Sequence, residues 1–124
     1  MMQFADRLLA ASVFLRDNCR DTEEFRDPDE PLPISLLGYL GGGVAKGYDL
    51  IAADERTRLL ALVEQGLLSE DDDVGTAVAT GFLEGLIHRA EAVDGLWPRI
   101  EAELGPQAKA YADAYRNADF SVDA

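Results

Sequence analysis

The chain has few of the residues that enzymes use for chemistry. Its 124 residues include one cysteine, Cys19, and one histidine, His88. Neither has a neighbour in sequence that would activate it as a nucleophile or a general base. Glu84 precedes His88 by four positions, so a contact along one helix accounts for the histidine without catalysis. We therefore expect no enzymatic activity, no catalytic residues and no cofactor.

Long apolar runs are also missing. No segment reaches the roughly 18 apolar residues that span a bilayer. Asp6, Arg7 and Arg16 interrupt the N-terminal stretch where a secretory signal would need an apolar core. A single cysteine cannot form an internal disulfide, as is usual in a reducing compartment. These absences predict a cytoplasmic chain that does not enter the membrane.

Positive charge is scarce. The sequence has eleven Lys and Arg but 24 Asp and Glu, which gives a formal net charge of −13. Such a chain repels nucleic acid and anionic membranes and attracts basic partners. Because 48% of the residues are hydrophobic, the acidity does not indicate disorder. The length is typical of one domain.

Strand-like alternation is absent, whereas apolar residues recur at helical spacing. The pattern predicts an all-α fold, a single-domain bundle of about five to six helices over residues 1–124. An acidic loop is expected at about 17–33 and a frayed tail at about 119–124. The expected helices cover approximately residues 2–18, 50–65, 69–92, 96–104 and 106–117, with a further helix that opens at 31–33 and carries Ile34, Leu37, Leu40 and Val44 inward. The helix over 69–92 is expected to lie at the centre.

Small residues mark the places where helices can approach closely. Ala77, Gly81 and Gly85 form a strip on the fourth helix that would admit a neighbouring helix. The run Gly41–Gly43 either breaks the second helix or accepts the cost of glycine for close backbone packing. It does not form a phosphate-binding loop, because Lys46 lies in the wrong position and no strand precedes it.

Two acidic clusters are the candidate partner-binding site. Residues 17–30 contain seven acids against two arginines, and a second run begins at Asp71. The candidate residues are Asp21, Glu23, Glu24, Asp27, Asp29, Glu30, Asp71, Asp72 and Asp73. The alternatives are a solvated loop for the first cluster and, for the second, a helix start capped by Ser69 with acids favoured by the helix dipole. The second run lacks the pattern of a calcium-binding loop, so no metal is expected.

The segment Val78–Leu86, VATGFLEGL, is similar to bacterial helical domains found near toxin systems. Together with the small, acidic, all-helical character of the chain, it resembles bacterial immunity proteins. The resemblance implies a protein that binds a cognate toxin with a basic active-site cleft and neutralises it. The alternative is a structural or regulatory module that self-associates as a homodimer through Ala77, Gly81 and Gly85. An enzyme is the third hypothesis.

Overall fold

Every regular element in the described part of the chain is a helix. The computed structural model describes residues 4–19 and 34–117. The α-helices are α1 (Phe4–Ala11), α2 (Val13–Asn18), α3 (Ile34–Lys46), α4 (Ala53–Leu67), α5 (Asp72–Ala77), α6 (Glu84–Glu91), α7 (Leu96–Glu103) and α8 (Pro106–Asn117). A 3-10 turn spans Tyr48–Leu50, and a π-helical segment spans Val78–Leu83. The all-α prediction is confirmed. Most of the expected acidic loop and the expected tail lie outside the described residues.

The first expected helix is two helices. Ser12 adopts an extended backbone, with φ −133° and ψ 112°, and its hydroxyl accepts the Leu15 N–H at 3.0 Å. A serine that satisfies a backbone donor in this way starts a new helix. Arg16 donates to the carbonyl oxygens of Leu9 and Ala10 at 2.6 and 2.9 Å and so satisfies the end of α1. The prediction of one helix over 2–18 was wrong at Ser12, and residues 17 and 18 belong to α2 rather than to a loop.

Residues 72–91 form one continuous helix at the centre of the described core, as predicted. Its α5, π-helical and α6 segments join without a break, because the joining residues keep right-handed helical dihedrals. Val78, Phe82 and Leu86 are fully buried along it. The helix begins one turn later than its acidic sequence suggested. Asp71 caps it by accepting the Asp73 N–H at 2.9 Å, so the expectation that Ser69 is the cap was wrong.

α3 packs against the central helix through glycines on both helices. A methyl group on Gly41 would lie 2.2 Å from the Phe82 carbonyl oxygen, and one on Gly85 would lie 2.5 Å from the Gly38 carbonyl oxygen. Gly41–Gly43 stay within α3, and Gly41 must be small because of this contact, whereas a methyl group on Gly42 would lie 3.9 Å from its nearest neighbour. The predicted close approach of a neighbouring helix is confirmed. The neighbour belongs to the same chain, so in this fold the strip is not open to a second copy.

The two helices of this contact run parallel. Gly81 lies against the backbone of Ile34, and Gly41 lies against the backbone of Leu86. Residue numbers therefore rise in the same direction along both helices. α3 and α6 therefore end at the same end of the helix pair. The inward face of α3 is buried at Leu37, Leu40 and Val44, whereas Ile34, also expected inside, is 39% exposed.

The other side of the central helix is covered by α4, α7 and α8. Leu59, Val63 and Ile100 are fully buried in this part of the core. α4 continues two residues past position 65, where this helix was expected to end, and has Leu68 as its C-cap. In the part of the chain that the structure describes, no helix has both the length and the apolar character needed to cross a membrane.

Candidate functional site

The nine candidate partner-binding residues divide into two groups. Six of them lie outside the described residues: Asp21, Glu23, Glu24, Asp27, Asp29 and Glu30. The other three, Asp71, Asp72 and Asp73, lie at the start of α5, and all three are exposed. The described part of the predicted site is therefore a single position in the fold, the turn between α4 and α5.

We call Leu68 and Glu70–Asp73 together the acidic corner. Its four acids are consecutive and exposed, and Leu68 beside them is 63% exposed. Asp72 and Asp73 occupy the first turn of α5, where the helix dipole favours negative charge. Glu70 precedes the helix cap, so it lies outside the first turn of α5 that the helix dipole favours for negative charge. Among the described residues, no ion pair involves any acid of the corner.

Many other acids of this chain serve the fold, and two on α4 cap distant helices. The Glu64 carboxylate accepts the backbone N–H groups of Gln107 and Ala108 at 3.0 and 2.7 Å, at the start of α8. The Glu55 carboxylate accepts the Phe14 N–H at 3.1 Å, and the Ser12 hydroxyl donates to it at 2.6 Å, at the start of α2. Both carboxylates satisfy donors that would otherwise lack partners.

Glu103 on α7 joins a cluster with α4 and the 3-10 turn. Arg56 Nε donates to Glu103 Oε1 at 2.9 Å, and Tyr48 donates its hydroxyl to the same carboxylate. The Arg56 guanidinium also lies 4.8 Å from the centre of the Tyr48 ring. The hydrogen bond from Arg56 lowers the pKa of Glu103, and burial together with Glu103 raises the pKa of Tyr48. This cluster ties three elements together.

Glu84 contacts α8 rather than the histidine expected beside it. The Tyr111 hydroxyl donates to Glu84 Oε2 at 2.5 Å, and burial followed by this bond raises the pKa of Tyr111 to about 12. His88 is exposed on the same helix. Tyr111 and Tyr115, four positions apart on α8, stack with ring centres 6.2 Å apart.

The clefts and buried groups of the described residues do not form a recognisable catalytic centre. Glu64 and Glu103 line one cleft of about 330 Å³, but both carboxylates accept the structural hydrogen bonds given above. Cys19 is 5% exposed, and burial raises the pKa of its thiol, which disfavours the reactive thiolate. Within residues 4–19 and 34–117, no group of three His, Cys, Asp or Glu side chains could hold a metal ion.

A second cleft, of about 470 Å³, carries positive charge, and no pattern in the sequence predicted it. Its described lining residues are Asn18, Cys19, Gly38, Tyr39, Gly42, Gly43, Lys46 and Arg89. Lys46 lies in the last turn of α3 and Arg89 in the last turn of α6. They lie 43 positions apart in the numbering, and only the parallel packing of the two helices brings them to one cleft.

Comparison with known proteins identifies no relative of this chain. No family model, no curated protein and no solved structure matches the chain. The functional interpretation therefore depends on the residues and their arrangement.

Proposed function

We propose that this chain is an immunity protein, a single helical domain of the cytoplasm that binds a cognate bacterial toxin and neutralises it. The acidic corner and the acids of residues 21–30 are the proposed binding surface. The observation that carries the proposal is the acidic corner, where four consecutive exposed acids follow an exposed leucine closely in sequence and form no ion pair with the described residues.

The distribution of charge supports this assignment. Several carboxylates elsewhere in the described residues cap helices or pair with arginines, as Glu64 and Glu103 do. Four adjacent like charges repel one another, and the helix dipole offsets this only for the acids in the first turn of α5. A basic partner would offset the repulsion more completely and would associate faster through electrostatic attraction.

The chemistry of the corner also indicates the kind of partner. Protein interfaces combine a few apolar anchors with a polar rim. Leu68 supplies an exposed apolar side chain, and the acids provide a negatively charged rim. A basic enzyme cleft that binds nucleic acid or nucleotides fits such a surface, because carboxylates can replace phosphates in it. The proposed partner is therefore a toxin with a basic active-site cleft.

The proposal is tested by searching the genes beside its own for one that encodes a toxic domain and by co-expressing the chain with that domain. We expect the chain to restore growth and to form a stoichiometric complex with that domain. The variant Glu70→Lys with Asp72→Lys should slow association, and raising the salt concentration should weaken binding of the unmodified chain. Toxicity that the chain leaves unchanged would overturn the proposal.

A matched control separates a local surface from net charge alone. Asp94→Lys with Asp113→Lys changes the net charge by the same amount at two exposed acids outside the acidic corner. We expect this pair to slow association less than the Glu70 and Asp72 pair. Equal effects from the two pairs would show that only total charge matters and would remove the acidic corner as the binding surface.

A further inference from the structure

Most cations in the described residues have a polar partner, but two at the second cleft do not. Arg7 donates to Gln65, Arg16 to the end of α1, Arg56 to Glu103, Arg58 to Asp54, Arg99 to Asp49 and Arg116 to Glu91. Within residues 4–19 and 34–117, no hydrogen bond or ion pair is found for Lys46, Arg89 or Lys109. Lys46 and Arg89 line the same cleft. Both side chains are exposed, and exposed cations often have no ion pair, so the informative observation is that two of them line one cleft of a strongly acidic chain.

The cleft is suited to an anion. No carboxylate is among its described lining residues, and three glycines of α3, Gly38, Gly42 and Gly43, line one wall. Arginine presents a planar fork of donors that matches the oxygens of a phosphate or carboxylate, and lysine adds a compact positive charge. The Tyr39 ring is half-buried at the same wall. A volume of about 470 Å³ accommodates a small molecule.

The helix dipole offers a simpler explanation. Lys46 and Arg89 both lie in the last turn of a helix, where positive charge is favoured. This explains why each residue is basic, but it does not require both to face one cleft. The two explanations differ in one measurable respect, because the dipole effect does not depend on which anion is in solution.

We propose that Lys46 and Arg89 bind a small oxyanion in this cleft, either a phosphate group or the carboxylates of an organic acid. The site lies at the end of the helix pair where α3 and α6 end, whereas the acidic corner precedes the start of the central helix. The proposal is therefore independent of toxin binding, and either one can fail without the other.

The test is an NMR titration of the full chain, with sodium phosphate in one arm and sodium succinate in the other. Sodium chloride keeps the ionic strength constant. We expect saturable shifts of the Gly42 and Gly43 amide signals in at least one arm, and the arm that saturates at the lower concentration identifies the anion. Lys46→Gln and Arg89→Gln should each weaken binding about tenfold, which corresponds to one charged hydrogen bond. Lys109→Gln, at an exposed cation outside the cleft, is the matched control and should leave binding unchanged.

Three results would overturn the proposal. The first is the absence of saturable shifts in both arms. The second is a set of shifts that Lys46→Gln, Arg89→Gln and Lys109→Gln leave equally intact. The third is a loss of stability in the two cleft variants that is the same with and without phosphate or succinate, since that is the behaviour of a dipole contact alone. Circular dichroism of each variant checks that the fold is retained before the titration.

Discussion

The two sides of the central helix, residues 72–91, are held by opposite means. On the α3 side, the contact depends on the absence of side chains, since Gly41 and Gly85 bring backbone against backbone. On the other side, carboxylates tie α4 to α7 and α8, and Glu84 of the central helix accepts the Tyr111 hydroxyl of α8. The first side has no room for a methyl group at Gly41 or Gly85, and the second depends on individual polar groups.

The acids of this chain include some that stabilise the fold and others whose charge is available to a binding partner. Glu55, Glu64, Glu84 and Glu103 all accept hydrogen bonds from other elements. A strongly negative composition is therefore not by itself a binding surface, because part of the charge stabilises the fold. Among the described residues, the acidic corner is the place where consecutive acids remain exposed without an ion pair. The proposed function depends on this difference.

The largest expected effect is at the glycine contact. Gly41→Ala places a methyl group 2.2 Å from the Phe82 carbonyl oxygen, which belongs to backbone that cannot rotate away. We expect a loss of about 3 kcal/mol in the free energy of unfolding, at the upper end of the usual cost of overpacking. Urea denaturation measures it. The control is Gly42→Ala, whose methyl group would lie 3.9 Å from its nearest neighbour and should stabilise the helix by up to about 1 kcal/mol. Equal behaviour of the two variants would mean that α3 is not held this closely.

The sequence predicted this contact in part. The spacing of Ala77, Gly81 and Gly85 indicated that a helix approaches closely, because small side chains on one face have that consequence. The neighbour, its direction and its register could not be predicted, since they depend on the whole core. The break at Ser12 was missed because the apolar spacing continues through it from Leu8 to Leu15.

The polar contacts among α4, α7 and α8 could not be predicted from the sequence, for a different reason. Glu64 caps a helix that begins more than 40 positions later, and no local pattern marks a glutamate for that role. The cluster of Lys46 and Arg89 has the same cause, because a parallel helix pair brings together two helix ends that are distant in sequence. Six of the nine predicted site residues lie outside the described residues, so their role stays a prediction.

The second-largest expected effect is on the free energy of unfolding when the cap of α8 is removed. Glu64→Ala removes the acceptor for the Gln107 and Ala108 N–H groups, and we expect a loss of about 1 to 2 kcal/mol, as for other helix caps. Amide hydrogen exchange should accelerate first in the opening turn of α8. Glu101→Ala, at an acid on α7 with no hydrogen bond among the described residues, is the control and should change little. Unchanged protection of α8 after Glu64→Ala would show that the cap does not stabilise the helix.

A smaller effect should depend on pH. The hydrogen bonds from Arg56 and Tyr48 lower the pKa of Glu103 in the folded chain. A carboxyl whose pKa is lower in the folded state stabilises the fold above its unfolded pKa, and this contribution is lost as the pH falls through the folded value. We expect Glu103→Gln to cost about 0.5 to 1 kcal/mol at pH 7, because the ion pair is partly exposed.

Urea denaturation from pH 7 down to pH 3 tests the sign. The difference between the unmodified chain and Glu103→Gln should shrink as the pH falls below about 4, where glutamate begins to be protonated. A difference that stays constant across this range would show that the charge of Glu103 contributes nothing and that only its shape matters.

The smallest expected effect is at Glu70, which lies only six positions from Glu64 and is therefore a direct test of the difference between structural acids and exposed ones. Glu64 accepts two backbone N–H groups, whereas Glu70 is exposed at the acidic corner and precedes the cap of α5. Glu70→Ala should therefore change the free energy of unfolding by less than about 0.5 kcal/mol, as is usual for exposed positions without a structural contact. Side-by-side denaturation of Glu64→Ala and Glu70→Ala measures the contrast. A loss at Glu70 as large as the loss at Glu64 would make the acidic corner a structural element and would weaken the proposal that its charge serves a partner.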